Sequence, residues 1–277
     1  MLTKKYRLVF GLVLMMVGVL SACSSTANTT NSGNEQQAQK LAQRTIGKLN
    51  KQKSLQVTLN SRVKSTTTSK KRKKTENYEY TMAVAYQKKP DIMRIETTIV
   101  TGKKTSAAPV YLNDYDVYTK PNDGQWVKTA ANQAGFDFDT QKDQYAAVSL
   151  LKRMATSSKL HVKTRKGQYI LTYRGHGDSA TEMVKDALGV GNPGNDSGMG
   201  AVIDQMNVES FDYQIVIDRH SLLPQSYQGK IKMTTKDGTK VAQTQSLKGK
   251  FSQYNQVPTI TLPEAKRVTT TSQTTNN

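Results

Sequence analysis

The feature that most constrains the fold is a two-residue alternation of apolar and polar side chains, which recurs along most of the chain. Successive side chains of a β-strand point to opposite faces of a sheet, so this period is typical of strands with one buried face. Residues 55–63, 78–86 and 211–217 carry the pattern most clearly. We expect the apolar positions of the last two stretches to share one apolar space: Tyr78, Tyr80, Met82, Val84, Tyr86, Phe211, Tyr213, Ile215 and Ile217.

Turn residues separate the alternating stretches. Asp-Gly occurs at 123–124 and at 237–238, and Lys-Gly at 166–167, each between apolar runs. Such dipeptides favour tight hairpins. The segment from Thr66 to Lys74 predicts the exposed loop of a long hairpin. The chain therefore predicts a series of antiparallel hairpins.

A few helical segments accompany the strands. In residues 35–50, apolar residues recur at helical spacing and predict an amphipathic helix. Three further segments, near residues 147–154, 180–187 and 199–206, repeat the spacing. Many hairpins with few helices indicate an α+β fold rather than alternating βαβ units. We predict a curved antiparallel sheet, a half-barrel, wrapped around the N-terminal amphipathic helix and the inserted helices.

The N-terminal segment decides where the protein would work. A basic start at residues 4–7 precedes an apolar run at 8–20, and Leu20-Ser21-Ala22-Cys23 follows. This order is typical of an export signal, and the apolar run is shorter than the roughly 20 residues of a membrane-spanning helix. The four residues resemble the lipobox of bacterial lipoproteins. The resemblance implies that Cys23 receives a diacylglyceryl group and that cleavage occurs just before it, which anchors the protein on the extracytoplasmic face of the cell membrane. The alternative is an ordinary signal peptide with an incidental cysteine.

The chain divides into one domain and its flanking segments. Cys23 is the only cysteine, so the mature protein could form no disulfide. No linker interrupts the middle of the chain. We expect a signal peptide at 1–22, a lipidated cysteine and flexible tether at 23–34, one domain at 35–265, and a disordered tail at 266–277.

The charge balance suggests anionic partners. The formal net charge is +19, and removing the three bases of the signal segment leaves about +16. Anionic headgroups attract basic surfaces by about 1 kcal/mol per nearby Lys or Arg, and anionic wall polymers act through the same force. Nucleic acid is not an expected partner of an exported lipoprotein. A run of five bases favours a solvated hairpin tip, and the alternative is a docking patch for anionic surfaces. The run comprises Lys70, Lys71, Arg72, Lys73 and Lys74.

No pattern of residues predicts catalysis. The three histidines, His161, His176 and His220, lack metal-ligand spacing, and no cysteine is available to complete a cluster. Two of them lie near a carboxylate, but turns commonly collect such residues. We predict a protein that is not an enzyme, with no metal site and no cofactor.

One resemblance covers most of residues 35–265. The order of the leading helix, the long meander and three short motifs resembles small lipoproteins of Gram-positive bacteria with a LolA/LppX-like domain. The motifs are Val-Tyr-Leu-Asn-Asp-Tyr-Asp-Val-Tyr at 110–118, Gly-Gln-Trp-Val-Lys at 124–128, and Val-Ile-Asp at 216–218 with Leu-Pro at 223–224.

The resemblance implies a half-barrel that encloses a cavity for acyl chains. The nine inward residues would then line the cavity, and the ligand would be a lipid or a lipid-linked envelope precursor. Tyrosine and methionine suit such a surface because they adapt to irregular apolar partners. The alternative is a filled core, in a non-enzymatic protein that binds anionic wall polymer or headgroups through its basic surface. The sequence leaves both open.

Overall fold

The structure, a computed structural model, describes residues 33–69, 72–101, 104–121, 124–188, 199–236 and 240–268. The predicted signal peptide, Cys23, most of the tether, Lys70, Lys71 and residues 269–277 lie outside the described residues.

Within these ranges the chain forms five helices and twelve strands. The helices are α1 (33–49), α2 (Phe138–Tyr145), α3 (Val148–Met154), α4 (Asp178–Leu188) and α5 (Met199–Asp204). None of the helices in the described part is long and apolar enough to cross a bilayer. The strands are β1 (Ser54–Ser69), β2 (Arg72–Gln87), β3 (Ile92–Thr101), β4 (Lys104–Asn113), β5 (Asp116–Thr119), β6 (Val127–Ala130), β7 (Leu160–Arg165), β8 (Gln168–Gly175), β9 (Met206–Asp218), β10 (Pro224–Thr235), β11 (Lys240–Ser252) and β12 (Lys266–Arg267).

All of these strands belong to one open sheet, in the order β12-β6-β5-β4-β3-β2-β1-β11-β10-β9-β8-β7. Every neighbouring pair is antiparallel except β12 and β6, which are parallel. Strands β1 to β6 follow one another outward from the centre, and β7 to β11 return from the other edge to pair with β1. The result is a large, mostly antiparallel sheet with few helices, as the hairpin pattern predicts.

The main core lies on one face of this sheet, which we call the inner face. Buried residues of α1, α3 and α4 pack there with the alternate apolar residues of the strands. Leu41 of α1, Leu151 of α3 and Val184 of α4 are representative, and each is at most 6% exposed. The opposite pleat of the strands forms what we call the outer face.

The predicted loop from Thr66 to Lys74 is wrong in extent. Strand pairing continues through this segment, from Thr66 opposite Thr75 to Ser69 opposite Arg72. The threonine run explains the difference, because β-branched residues favour strands and the Thr66 and Thr75 hydroxyls pair at 3.1 Å. Arg72, Lys73 and Lys74 are therefore strand residues.

The C-terminal segment forms a smaller core on the outer face. Ile260 packs there with Ala85 and Ile92, and its backbone N–H donates to Gln87 Oε1 at 2.8 Å. Strand β12 follows, and Arg267 Nη2 donates to Oδ2 of the buried Asp116 at 3.0 Å. This pairing places Lys266 and Arg267 in the sheet, beyond the predicted domain boundary at residue 265.

The first described residues attach α1 to the far edge of the sheet. The Asn34 side chain donates to the Val162 carbonyl at 2.9 Å and accepts from the Val162 N–H at 3.0 Å. An edge strand offers such unpaired backbone groups. Asn34 therefore fixes the point at which the preceding segment leaves the domain, beside β7.

Candidate functional site

A cleft of about 270 Å³ lies between the inner face of the sheet and the helices α2 and α4. Two central strands, β1 and β2, form its floor, and β10 contributes one aromatic ring. The lining residues are Val57, Leu59, Tyr80, Met82, Val84, Phe136, Gln141, Gln144, Tyr145, Ala187, Leu188 and Tyr227.

Strand register assembles the floor of the cleft. Val57 lies opposite Val84, and Leu59 lies opposite Met82, so two apolar pairs stand side by side on the inner face. Tyr80 follows one pleat further along β2, where its hydroxyl is 3.3 Å from Gln245 Nε2. The floor is thus apolar near Val84 and gains a hydroxyl toward Tyr80.

An aromatic row across the neighbouring strands borders the cleft at Tyr227. The rings of Tyr213 and Tyr227 stack at 5.7 Å with an interplanar angle of 23°. Tyr227 and Phe251 meet edge to face, also at 5.7 Å. Gly249 makes room for this ring, because a Cβ there would lie 2.0 Å from Tyr227 Cε1.

Helix α2 forms the opposite wall and presents amides where apolar residues would be expected. Asp137 caps its N-terminus. It accepts hydrogen bonds from the Thr140 hydroxyl and from the Thr140 N–H, the latter at 2.7 Å, and these bonds lower the pKa of its carboxyl. Phe138, Gln141 and Tyr145 share a helix face at i, i+3 and i+7. Gln141 is only 2% exposed. Two buried atoms of this wall, Gln141 Nε2 and Gln144 Oε1, have no hydrogen-bond partner among the described residues.

The cleft disfavours charge. Among the described residues, no lining side chain is charged. Burial raises the pKa of the Tyr145 hydroxyl to about 12, and the nearby Tyr80 adds to this effect. Burial likewise raises the pKa of Tyr227. Since burial penalises the ionised form, the hydroxyls stay neutral and the cleft suits uncharged groups.

The nine predicted inward residues do share the inner face, but they occupy three different environments. Tyr80, Met82 and Val84 line the cleft. Tyr86 instead lies between the end of α1 and α2, where it donates to Asp91 Oδ1 at 2.8 Å. Tyr78 is 36% exposed. The remaining four are at most 4% exposed, within the packed core: Phe211, Tyr213, Ile215 and Ile217.

The sequence patterns did not predict the helical wall of the cleft. None of them singled out Gln141, Gln144 or Tyr145. A usable signal was present, since Gln141 stands three residues after Phe138 on the apolar face of the helix.

The histidine-containing turns have structural roles. Asp218 Oδ1 accepts from the Ser221 N–H at 2.8 Å and from the His220 N–H at 3.0 Å, which lowers the pKa of this carboxyl. The His220 ring takes no part in these bonds. His161 lies on β7, and His176 lies between β8 and α4. Within the described ranges, no group of three or more potential ligands is placed to hold a metal ion.

The predicted basic patch is divided by the strand pairing. Arg72 and Lys74 lie on the inner side of β2 and Lys73 on the outer side, because successive strand residues alternate. Lys74 also pairs with Glu76 at 2.8 Å.

A broader basic array, absent from the sequence analysis, covers the outer face of β1, β11 and β10. It comprises Arg62, Lys64, Lys230, Lys232, Lys248 and Lys250, all exposed. Arg62 pairs with Glu79 at 3.0 Å. The five lysines, which we call the outer-face lysines, form no ion pair among the described residues.

The chain belongs to the family of unknown function DUF6612, whose match spans residues 37–269. LprF from Mycobacterium bovis is similar in structure, with a TM-score of 0.45 and 12% identity over 83% of this chain and 97% of that one. A LolA superfamily protein from Nitrosomonas europaea, NE2245, gives a TM-score of 0.23 and 9% identity over 77% and 92% of the two chains. The comparison with curated proteins gave no match.

Proposed function

We propose that the protein is a membrane-anchored extracytoplasmic lipoprotein that binds or carries a hydrophobic or amphiphilic ligand in the cleft, such as a lipid or a lipid-linked envelope precursor. In this role the open sheet and its helices act as the half-barrel container of a LolA/LppX-like domain. The observation that carries the proposal is the cleft itself. It is concave, and it combines seven apolar side chains with the side chains of three tyrosines and two glutamines. Small-molecule sites likewise combine apolar walls with polar groups that fix the orientation of a ligand.

The inner face supplies a path for a longer ligand. Beyond Tyr80, toward the hairpin tip, Tyr78 and Ile99 are 36% and 43% exposed on the same face. Exposed apolar side chains that continue from a cleft extend the surface available to an apolar partner. An acyl chain could therefore start between β2 and α2 and continue along β2.

The first prediction tests whether the cleft is a ligand site or a defect of packing. Val84→Trp places a large ring in the cleft, so we expect a small loss of stability together with loss of lipid uptake. The matched control is Val208→Trp, at a core position that is 1% exposed and does not line the cleft. Overpacking there should cost about 1–3 kcal/mol.

The measurement is a pair for each variant: the melting temperature, and retention of a fluorescent phospholipid by the purified domain. Native mass spectrometry of wild type with extracted lipid identifies what is bound. If wild type retains no lipid, and Val84→Trp destabilises as strongly as Val208→Trp, the carrier function is wrong.

The outer-face lysines favour a second candidate function, a non-enzymatic interaction with anionic wall polymer or headgroups. They lie on three adjacent strands, with Lys248 opposite Asn60 and Gln228, and Lys232 opposite Thr244. Lys230 lies opposite Asp212 on β9, whereas the residues directly opposite the other four lysines are polar and neutral. Positive charges on one face of the sheet complement a surface that carries many phosphates. This function and lipid carrying use opposite faces of the sheet and are compatible.

A further inference from the structure

Two glutamines of α2 give the cleft a polar feature that a container for plain hydrocarbon does not require. Gln141 and Gln144 both line the cleft, and each holds one buried side-chain atom without a partner among the described residues. One orphan atom is an amide nitrogen, a donor, and the other an amide oxygen, an acceptor. Gln141 is 2% exposed, so bulk water cannot serve it freely.

Buried polar atoms without partners are costly, and native proteins satisfy nearly all of them. An apolar residue at position 141 would leave no polar atom unpaired, and it would continue the apolar helix face that includes Phe138. Glutamine at this position therefore destabilises the empty protein relative to leucine. The cost is offset if the missing partners arrive with a ligand.

The partner must be uncharged. The lining carries no charged side chain to balance an ion, and burial already raises the pKa of Tyr145. An ionised headgroup would lose its hydration there without compensation. A carbonyl next to a hydroxyl or an N–H would satisfy both glutamines, whichever way each amide is turned.

We infer that the cleft recognises the uncharged ester or amide linkage of an acyl lipid, with Gln141 donating to the linkage carbonyl and Gln144 accepting from an adjacent hydroxyl or N–H. This inference rests on the proposed lipid-binding function. It places the first part of the acyl chain on the floor at Met82 and Val84. The charged part of any headgroup stays outside the cleft.

The test compares two probes of equal chain length, a monoacylglycerol and the corresponding monoalkylglycerol ether. They share the glycerol hydroxyls and differ in the carbonyl. Each competes against a fluorescent acyl probe bound to the full domain. Wild type should prefer the ester about tenfold, the factor that corresponds to roughly 1.4 kcal/mol.

Gln141→Leu should abolish this preference while the melting temperature of the empty protein stays equal or rises, because an unsatisfied amide has been removed. Gln144→Leu should weaken the binding of both probes by a similar factor, since both probes carry hydroxyls. The control is Gln228→Leu, on the exposed outer face, which should not change the affinity for either probe.

The outcomes separate the two levels of the proposal. Linkage recognition is wrong if the ester and the ether bind wild type with equal affinity. It is also wrong if Gln141→Leu keeps the preference for the ester. Neither result would contradict lipid carrying. If wild type binds neither probe nor the fluorescent lipid, lipid carrying fails as well. A Gln141→Leu variant that melts lower than wild type and keeps the ester preference would show a purely structural glutamine.

Discussion

At the residue scale, the shape of the cleft depends on a glycine. A Cβ on Gly249 would lie 2.0 Å from Tyr227 Cε1 and 2.1 Å from Tyr227 Cζ. The ring must therefore shift if any side chain is added. Tyr227 belongs both to the cleft lining and to the stacked aromatic row that includes Tyr213, so its displacement affects binding and packing together.

We expect Gly249→Val to lower the free energy of unfolding by about 1–3 kcal/mol, the usual cost of overpacking, and to reduce lipid retention. Urea unfolding and the fluorescent-lipid assay measure the two effects. The matched control is Gly47→Ala in α1, where an added Cβ meets nothing within 4 Å. Alanine there should stabilise by about 0.5–1 kcal/mol. If Gly249→Val changes neither the stability nor the lipid retention, the close approach of the Tyr227 ring to position 249 is wrong.

At the element scale, antiparallel pairing decides which basic residues can act together. Arg72, Lys73 and Lys74 alternate between the two faces of β2, whereas the outer-face lysines stand on one face of three strands. Only the outer-face lysines present their charges on a single face of the sheet. This difference follows from the two-residue period of a strand and from register, not from the local density of lysine.

Neutralising the five outer-face lysines to glutamine should lower adsorption of the soluble domain to anionic vesicles by at least tenfold at low salt. Each lysine near such a surface contributes about 1 kcal/mol, and salt screens the attraction. The comparison variant neutralises Lys70, Lys71, Arg72, Lys73 and Lys74, and should lose less.

Vesicle sedimentation at low and high salt gives the measurement, and competition by soluble polyphosphate distinguishes a polymer ligand from a lipid surface. A greater loss in the hairpin-tip variant would make the tip the docking patch. Equal adsorption by both variants and wild type would remove the second candidate function altogether. Melting temperatures should not change, since the outer-face lysines and residues 72–74 are exposed.

At the scale of the whole molecule, a lipid anchor at Cys23 would limit how far the domain can lie from a membrane. The domain begins at α1, and Asn34 fixes that point to the edge strand β7. Asn34 lies eleven positions after Cys23, a reach of roughly 36 Å when the chain is fully extended. A lipidated Cys23 would therefore hold the start of α1 within about that distance of the bilayer.

The corresponding prediction is that Cys23→Ser leaves an unprocessed, unlipidated precursor. Two acyl chains provide stable anchoring, and serine has no thiol to carry them. Membrane fractionation and the mass of the N-terminal peptide give the measurement, with Ser25→Ala as the control in the tether. Cys23→Ser protein that is processed and membrane-bound like wild type would contradict the lipobox interpretation.

The sequence alone determined the features that depend on near neighbours along the chain. Alternation in 78–86 and 211–217 identified strands and their buried face, because side-chain direction in a strand follows from backbone geometry. Glycine-containing turns located the hairpins for the same local reason. The amphipathic stripe of α1 likewise required no knowledge of its partner.

Only the tertiary structure decided which buried positions are packed and which line a cleft. Val84 and Ile215 carry the same alternating pattern and are both buried in the main core, yet Val84 also lines the cleft beneath α2 and Ile215 does not. The position of a helix over a sheet is a non-local property. The outer-face array is likewise non-local, since Lys64 and Thr244 become neighbours through the pairing of β1 with β11. Such pairings depend on the strand order and register of the complete sheet, so no local sequence pattern predicts them.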